Sequence, residues 1–405
     1  MQKVLFVSFD LVRTHDPEKS LAIASILATL KNNERLKSKC EFEHLSINLL
    51  AESWQEKIKP YKLSDYSFIA ISAYIWSEYY INDFMKWLIN YGFNGQIILG
   101  GYQIAKDSLD NLKNRYPLAS IFVEGYAEQA LLDFFTENLT TNVSKIINSK
   151  LNTNLLQSPY LTGEIEVKQN AKMLRFETKR GCPYYCSFCR HRDVVNNSIS
   201  ELDKTRIIEE LDYMLSFNVK KINIVDPIFH VKNYMTILNE IVSLCKSKKV
   251  ETLFSLQCRL EFLTGSGGND FLNLCKQGHF ELEFGLQTCN EQESALINRK
   301  NNMPLIKKAF EMLNKSGIKH EISLIYGLPN QTLKSFFENI EVLKQKSNAK
   351  IKAYPLMLLP GTPLFNEKEK YAFKEQKDKL GIPNVVSSNS FTYEEWLEMK
   401  KRRVM

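Results

Sequence analysis

The sequence predicts an α/β protein in which a doubly wound, flavodoxin-like parallel sheet is followed by a partial, TIM-like (β/α)6 barrel. Strand and helix patterns alternate over residues 1–140, and they alternate again over residues 171–365. Such alternation is typical of parallel sheets covered by helices. A third observation is a group of three cysteines directly behind the first strand of the second set. The length of 405 residues allows two or three domains.

The first region contains five predicted strands, each followed by a helical pattern or a loop. We expect these strands at residues 4–8, 40–49, 68–72, 96–101 and 120–125. The third is apolar enough to be buried on both faces, as strands of parallel sheets are. Ligands of doubly wound sheets bind outside the carboxyl ends of the strands. The candidate ligand-binding residues of this region are therefore Ser72, Gly100, Gly101, Glu124 and Gly125.

The second region contains six predicted strands, at residues 173–178, 222–226, 252–259, 281–287, 319–326 and 350–356. Six βα units are two short of a full barrel. Residues 141–170 are polar and rich in Asn and Ser, which predicts a linker between the domains. Residues 366–405 end in a helix opened by a capping box at Thr392 and Glu395. We expect this helix to pack on the open side of the barrel.

The three cysteines, Cys182, Cys186 and Cys189, have the spacing CxxxCxxC. Three thiolates can hold three irons of a four-iron cluster, which leaves the fourth iron open to a substrate or cofactor. Zinc usually takes four ligands in CxxC pairs. A disulfide framework is disfavoured by the odd number of clustered cysteines and by the long chain without a signal peptide. The spacing therefore favours an iron–sulfur centre.

The formal net charge of +7 comes from scattered lysines rather than from one block. This distribution is typical of solvated surfaces and disfavours a nucleic-acid partner. The longest apolar run is far shorter than a membrane span, and no apolar leader segment is visible at the start. We expect no membrane partner and a cytoplasmic location, where the other five cysteines are reduced.

The cysteine motif resembles the signature of the radical S-adenosylmethionine (radical SAM) superfamily. In that family an aromatic residue precedes the third cysteine, as Phe188 does here. The resemblance covers residues 171–365. It implies a 4Fe–4S cluster on Cys182, Cys186 and Cys189, with SAM at the open iron. It also implies reductive cleavage of SAM to a 5′-deoxyadenosyl radical, with the electron supplied by a donor such as flavodoxin or ferredoxin.

The resemblance also suggests which residues contact SAM. Asp226 closes the second strand of the barrel, where the family binds the amino group of SAM. The pattern Gly-x-Gln followed by Asn-Arg, with Gln287 and Arg299, is similar to that of oxygen-independent coproporphyrinogen oxidase, in which both residues contact SAM. An arginine suits the methionyl carboxylate because its fork pairs with carboxylates bidentately. Gln257 stands where that family has an acid, and Arg259 is the other candidate. For each of these residues, a hydrogen bond at the barrel rim remains the alternative.

The first region resembles the cobalamin-binding domain that precedes many radical SAM barrels. The match consists of the strand ending at Ser72, Leu-Gly-Gly at 99–101 and Val-Glu-Gly-x-x-Glu at 123–128. The Asp-x-His-x-x-Gly motif, whose histidine binds cobalt in the methionine-synthase type, is absent from the sequence. The resemblance implies cobalamin bound without that histidine. A domain that has lost cobalamin and serves as a scaffold is the alternative.

The two resemblances together imply methyl transfer to an unactivated carbon of a small-molecule or peptide substrate. Radical rearrangement, dehydrogenation and transfer of the 3-amino-3-carboxypropyl arm of SAM are alternatives. A cobalamin or iron–sulfur sensor is the alternative without catalysis. The sequence does not identify the substrate.

Overall fold

A computed structural model describes residues 1–137, 143–193 and 198–402 of the chain. The chain divides into two compact units. The first comprises Met1–Val167 with Lys379–Ile382, and the second comprises Lys168–Asp378 with Pro383–Met405. No helix in the described ranges is both long enough and apolar enough to cross a membrane.

The first unit is built on a parallel sheet. Its strands are β1 (Gln2–Asp10), β2 (Cys40–Asn48), β3 (Phe68–Ser72), β4 (Gln96–Gly100), β5 (Ile121–Val123) and β6 (Lys145–Ile147). Their order is β2-β1-β3-β4-β5-β6, and every neighbouring pair is parallel. The strand β6 lies inside the segment predicted to be a linker. It is only three residues long and half-buried, so it has no strong apolar signal.

Helices cover both faces of this sheet. They are α1 (Leu21–Lys31), α2 (Glu34–Lys37), α3 (Trp54–Ile58), α4 (Glu78–Asn90), α5 (Leu109–Arg115) and α6 (Ala127–Thr136). One apolar core contains Leu5 and Val7 of β1 with Phe84 of α4. The other contains Val4 of β1 with Leu27 of α1. Successive residues of β1 thus enter two different cores, which confirms the doubly wound fold.

The second unit contains a larger parallel sheet. The strands of this unit are β7 (Leu174–Phe176), β8 (Lys179–Arg180), β9 (Ser200–Glu201), β10 (Lys221–Ile224), β11 (Leu253–Cys258), β12 (Phe280–Gln287), β13 (Lys319–Tyr326), β14 (Lys350–Pro355), β15 (Lys374–Lys377) and β16 (Pro383–Ser387). Six of them form the main sheet in the order β14-β13-β12-β11-β10-β7, with all neighbours parallel. Sequential strands are spatial neighbours, which confirms the partial (β/α)6 barrel.

The helices of the second unit follow the strands along the chain. They are α7 (Lys204–Leu215), α8 (Tyr234–Lys248), α9 (Gly268–Cys275), α10 (Glu291–Leu296), α11 (Met303–Ser316), α12 (Leu333–Lys346), α13 (Pro363–Asn366) and α14 (Tyr393–Lys401). The capping box predicted for the last helix is present, with Thr392 and Glu395 bonding to each other's backbone N–H. Trp396 of this helix is buried against Tyr326 of β13, with ring centroids 5.9 Å apart. The antiparallel pair β15–β16, which precedes α14, is not apparent from the sequence.

Candidate cofactor site at the carboxyl ends of the strands

The three cysteines lie on a loop that leaves the short strand β8. Gly181 has a φ of +93°, a conformation that glycine adopts without a steric cost, and it turns the chain into the loop. Cys182, Cys186 and Cys189 are all free thiols, and Cys186 is buried. Phe188, the aromatic residue before the last cysteine, is half-buried. The loop therefore presents three thiols within eight residues.

The thiols are near enough to interact electrostatically. Burial, together with the charges of Cys186 and Cys182, raises the pKa of Cys189 to about 11. Burial also raises the pKa of Cys182, with a second contribution from Cys186. The protein by itself thus disfavours three thiolates on this loop. A bound cation reverses this balance, because a thiol that coordinates a metal is deprotonated.

The donor set distinguishes an iron–sulfur cluster from a single metal ion. Within the described part of the chain, no three His, Cys, Asp or Glu side chains converge as the ligands of one ion would. A four-iron cluster has no such requirement, because each thiolate binds a different iron. Three thiols on one loop fit a cluster with one open iron, and they do not fit a four-ligand zinc site.

Arg299 connects the cysteine loop to the carboxyl end of β12. Its Nη1 lies 3.5 Å from Cys186 Sγ, and its Nη2 donates to the carbonyl oxygen of Gly285. Asn298 Nδ2 donates to the carbonyl oxygen of Tyr185 at 2.9 Å. Arg299 Nε is buried and makes no hydrogen bond to any residue that the structure describes. A buried donor on a cation is suited to an anionic ligand.

Gln287 ends β12 in an unusual conformation. The register of β12 against β13 shifts between Gly285 and Gln287, and Gln287 has a φ of +74°. A Cβ atom on Gly285 would lie 2.6 Å from Gln287 Nε2, so a larger residue there would displace the end of this side chain. Asn301 Nδ2 holds the bulge by donating to the carbonyl oxygens of Leu286 at 2.9 Å and Thr288 at 2.8 Å. The role of Asn301 was not apparent from the sequence.

Arg259 packs against the cysteine loop through a contact that the sequence does not predict. Its guanidinium carbon lies 4.2 Å from the centroid of the Tyr184 ring, within the cysteine loop. Its Nε forms an ion pair with Glu261 at 3.7 Å and makes no hydrogen bond to a described residue. Its backbone N–H donates to His230 Nδ1 at 3.4 Å. Gln257, two residues earlier on β11, is exposed.

Asp226 is held by hydrogen bonds from the residues that follow β7. The side chain is fully buried, and its oxygens accept hydrogen bonds from Thr178 N at 2.8 Å, Thr178 Oγ1 at 2.5 Å and Lys179 N at 3.2 Å. The Lys179 ammonium, also buried, lies 4.0 Å away and donates to the carbonyl oxygens of Phe229 and Val231 at 2.9 Å. Burial raises the pKa of Asp226 to about 6 and lowers the pKa of Lys179. These hydrogen bonds engage both oxygens, so Asp226 ties the loop after β10 to the segment after β7.

The first unit has its own set of residues at the strand ends. Ser72 ends β3, and its buried Oγ has no hydrogen-bond partner among the described residues. Gly100 ends β4. Gly101 has a φ of +124°, and a Cβ atom there would lie 2.4 Å from the carbonyl oxygen of Ala73. The close approach of two loops therefore explains Gly101 without a ligand.

The last two candidates of this unit differ in their surroundings. Glu124 Oε1 accepts from the backbone N–H of Lys106 at 2.8 Å, which ties the loop after β5 to the loop after β4. Gly125 has a φ of +81° and open space where a Cβ atom would lie. Backbone at this position can therefore approach a ligand closely.

An aromatic pair at the same edge was not singled out from the sequence. The rings of Tyr74 and Trp76, in the loop after β3, are stacked with centroids 4.6 Å apart and planes 7° apart. Trp76 Nε1 donates to the carbonyl oxygen of Phe9 at 2.8 Å, which fixes the indole at the end of β1. The stacked pair follows Ser72, whose hydroxyl has no partner among the described residues, within four residues along the chain.

The family model described as the radical SAM superfamily matches residues 176–343, which include all three cysteines, Gln287 and Arg299. The chain also resembles curated proteins beyond the matched region. It is 23% identical over 377 residues to the "Cobalamin-dependent radical SAM methyltransferase TokK" of Streptomyces tokunonensis, covering 82% of this chain and 55% of TokK.

A second curated relative is the "2-(S-pantetheinyl)-carbapenam-3-carboxylate methyltransferase" of Streptantibioticus cattleyicolor. This relative is 23% identical over 384 residues, which cover 83% of this chain and 56% of the relative. The chain therefore spans about half the length of these two curated relatives.

Solved structures share the fold of both units. The methyltransferase TsrM of Kitasatospora setae, with tryptophan and a SAM analogue bound, superposes with a TM-score of 0.72 and 13% identity, covering 98% of this chain and 88% of TsrM. The cobalamin-dependent SAM radical enzyme OxsB, with aqua-cobalamin and SAM bound, superposes with a TM-score of 0.71 and 14% identity. That match covers 99% of this chain and 66% of OxsB. These likenesses show the fold.

Proposed function

We propose that this protein is a cobalamin-dependent radical SAM methyltransferase that acts on an unactivated carbon of a small-molecule or peptide substrate. The observation that carries the proposal is the three-thiol loop held against Arg299 at the end of β12. The fold of the first unit supports the cobalamin-dependent class, because TsrM and OxsB share it together with the barrel. The names of TokK and TsrM support methyl transfer.

Cys182, Cys186 and Cys189 would hold the 4Fe–4S cluster. When bound, the cluster supplies the electron that cleaves the sulfonium of SAM. The protein's own contribution is position and charge. Arg299 is fixed by the Gly285 carbonyl and by Cys186, and its unpartnered Nε suits the carboxylate of SAM. Arg259, held over the ring of Tyr184, is a second cation beside the same loop.

Gln287 and Gln257 are the neutral polar groups of this site. Gln287 presents its carboxamide above Gly285, because the bulge and the positive φ turn it there. Gln257 is exposed on the neighbouring strand. Carboxamides both donate and accept hydrogen bonds, so they suit the ribose hydroxyls and the adenine of SAM.

Cobalamin would bind at the carboxyl edge of the first sheet. The candidates are Ser72, Gly100, Gly101, Glu124 and Gly125, to which the structure adds the stacked Tyr74 and Trp76. When bound, cobalamin supplies a carrier for the methyl group. Ser72 Oγ offers a hydrogen bond that no described residue uses. The open space at Gly125 lets the backbone approach a large ligand.

The electron donor and the cellular location follow from the same chemistry. Cysteine thiolates and a reduced cluster require a reducing compartment, which supports a cytoplasmic location. A small redox protein such as flavodoxin or ferredoxin is the proposed donor.

The products of SAM test the proposal without knowledge of the substrate. The protein is reconstituted anaerobically with iron, sulfide and cobalamin, then incubated with SAM and a reductant. Methyl transfer out of SAM yields S-adenosylhomocysteine, and reductive cleavage yields 5′-deoxyadenosine; we expect both. Only 5′-deoxyadenosine would indicate rearrangement or dehydrogenation, and 5′-methylthioadenosine would indicate transfer of the 3-amino-3-carboxypropyl arm. A cluster-loaded protein that forms none of the three would support a sensor.

A further inference from the structure

The two faces of the main sheet in the second unit have opposite character. The side chains that face the helices are apolar, and Phe254, Leu282 and Ile322 are fully buried. The opposite face carries polar side chains, which the strand register aligns in rows. These rows include Ser255 with Glu281, and Gln257 with Glu283 and Glu321. This face is the concave side of the partial barrel.

Two of the three carboxylates on this face have lysine partners. Glu281 on β12 pairs with Lys221 Nζ on β10 at 2.7 Å. Glu321 on β13 pairs with Lys352 Nζ on β14 at 2.5 Å. Each pair spans strands of the sheet, so the charges of Glu281 and Glu321 are compensated within the protein.

Glu283 lies between these two pairs and lacks such a partner. It is opposite Glu321 in the register and two residues after Glu281 on the same strand. Among the residues that the structure describes, its carboxylate makes no hydrogen bond and no ion pair. The side chain is half-buried, and burial followed by the charge of Glu321 raises its pKa. An unpaired carboxylate in such a place destabilises the folded chain, which calls for a functional reason.

The position of Glu283 relates it to the cofactor site. Glu283 precedes Gln287 by four residues on β12. A Cβ atom on Gly285 would point to the face of Glu283 and would meet Gln287 Nε2, so the Gln287 side chain lies over the same face despite the bulge. At about 3.3 Å per residue, roughly 13 Å or less separates the two residues along the strand. A small molecule bound at Glu283 is therefore near the strand end that Arg299 contacts through the Gly285 carbonyl oxygen. The exposed carboxamide of Gln257 lies beside Glu283 in the register.

We infer that Glu283 and Gln257 bind the substrate and that the substrate carries a protonated amine. The unpaired carboxylate supplies the charge that an ammonium group requires, and the carboxamide oxygen supplies a second acceptor. The assignment of this amine to the substrate of the radical reaction rests on the proposed function.

The experiment compares three probes of one shape and different charge: cyclohexylmethylamine, cyclohexylmethanol and cyclohexanecarboxylate. Binding to the anaerobic, cluster-loaded full chain is measured by ligand-observed NMR at neutral pH. The variant is Glu283→Gln, which keeps the shape and removes the charge. Glu311→Gln, on the exposed side of α11, is the matched control for the loss of one carboxylate.

We expect the wild-type chain to bind the amine at least about tenfold more tightly than the alcohol, because hydrogen bonds to charged groups are the strong ones. The carboxylate should bind more weakly than both. Glu283→Gln should lose the preference, and Glu311→Gln should keep it. The melting temperature of Glu283→Gln should equal or exceed that of wild type, because the variant removes an unpaired half-buried charge.

Three results would overturn the inference: a wild-type chain that does not prefer the amine, a preference that survives Glu283→Gln, or a lower melting temperature in that variant. The last result would mean that Glu283 stabilises the fold through the neighbouring lysines. Iron content and SAM products, measured on the same samples, test the proposed function separately. A chain that loads the cluster and cleaves SAM without preferring the amine contradicts the Glu283 inference alone.

Discussion

The carboxyl ends of the two sheets are held in different ways. In the second unit, side chains hold the loops: Arg299 ties Cys186 to Gly285, and Asp226 ties two loops together from a fully buried position. In the first unit, the loops meet through backbone contact at Gly101, and side chains add the hydrogen bonds of Glu124 with Lys106 and of Trp76 with Phe9. The buried charges of the second edge agree with the proposal that it binds SAM, and the backbone contact and stacked rings of the first agree with the proposal that it binds cobalamin.

The largest expected effect concerns the cysteine loop. Cys186→Ala removes one of three cluster ligands and should abolish both the cluster and SAM cleavage, since two thiolates do not retain a four-iron cluster. Iron content and visible absorbance measure the loss of the cluster, and the yield of 5′-deoxyadenosine measures the loss of SAM cleavage. Cys245→Ala, on α8, is the control and should retain the iron content, the absorbance and the formation of 5′-deoxyadenosine. Cobalamin binding should persist in Cys186→Ala if the two sheet edges bind their ligands independently. Loss of cobalamin binding in this variant would show that they do not.

Arg299→Lys tests the charged edge without removing a cluster ligand. Lysine keeps the charge but lacks the planar fork with which arginine contacts the Gly285 carbonyl oxygen, Cys186 Sγ and a carboxylate at the same time. We expect SAM affinity to fall by about 10–100-fold, the equivalent of roughly 1.5–3 kcal/mol, while iron content is unchanged. Equilibrium binding of SAM measures the change. Arg206→Lys on α7, where the arginine pairs with Glu210, should leave SAM affinity as it is.

Gly101→Ala tests the first edge. The added methyl group would meet the Ala73 carbonyl oxygen, and alanine is strained at a φ of +124°. We expect the first unit to lose about 1–3 kcal/mol of stability, with weaker cobalamin binding and unchanged iron content. Gly163→Ala is the matched control, because Gly163 also has a positive φ but has open space around it. An equal loss in both variants would show that φ alone matters and that the loop contact does not.

The last prediction concerns the pH dependence of the stability of the second unit. Burial lowers the pKa of His230 to about 3, and its ring stacks on Phe262 with centroids 4.4 Å apart. Because the unfolded chain binds the proton more tightly, stability is fully present above pH 6.5 and is lost as the pH falls toward 3. His230→Phe keeps the stacking and should flatten this dependence between pH 4 and 6 in urea unfolding. His279→Phe, at an exposed position, should leave the slope unchanged.

Much of the fold could be predicted because its strands are apolar and its glycines mark strand ends. The polar, fully exposed β15 and the three-residue β6 lack that signal, so neither was expected. Asp226 is 48 residues from its partner Thr178, and only the folded chain shows that its oxygens are used. The contact of Arg259 with Tyr184 and the unpaired state of Glu283 depend likewise on register and on neighbours far apart in sequence.

Electron paramagnetic resonance of the freshly prepared, anaerobic and reduced protein tests the central claim most directly. The account predicts the signal of a reduced four-iron cluster whose g values change when SAM is added, because SAM binds the iron that lacks a cysteine. A protein without such a signal, or with a signal that SAM leaves unchanged, would contradict the account.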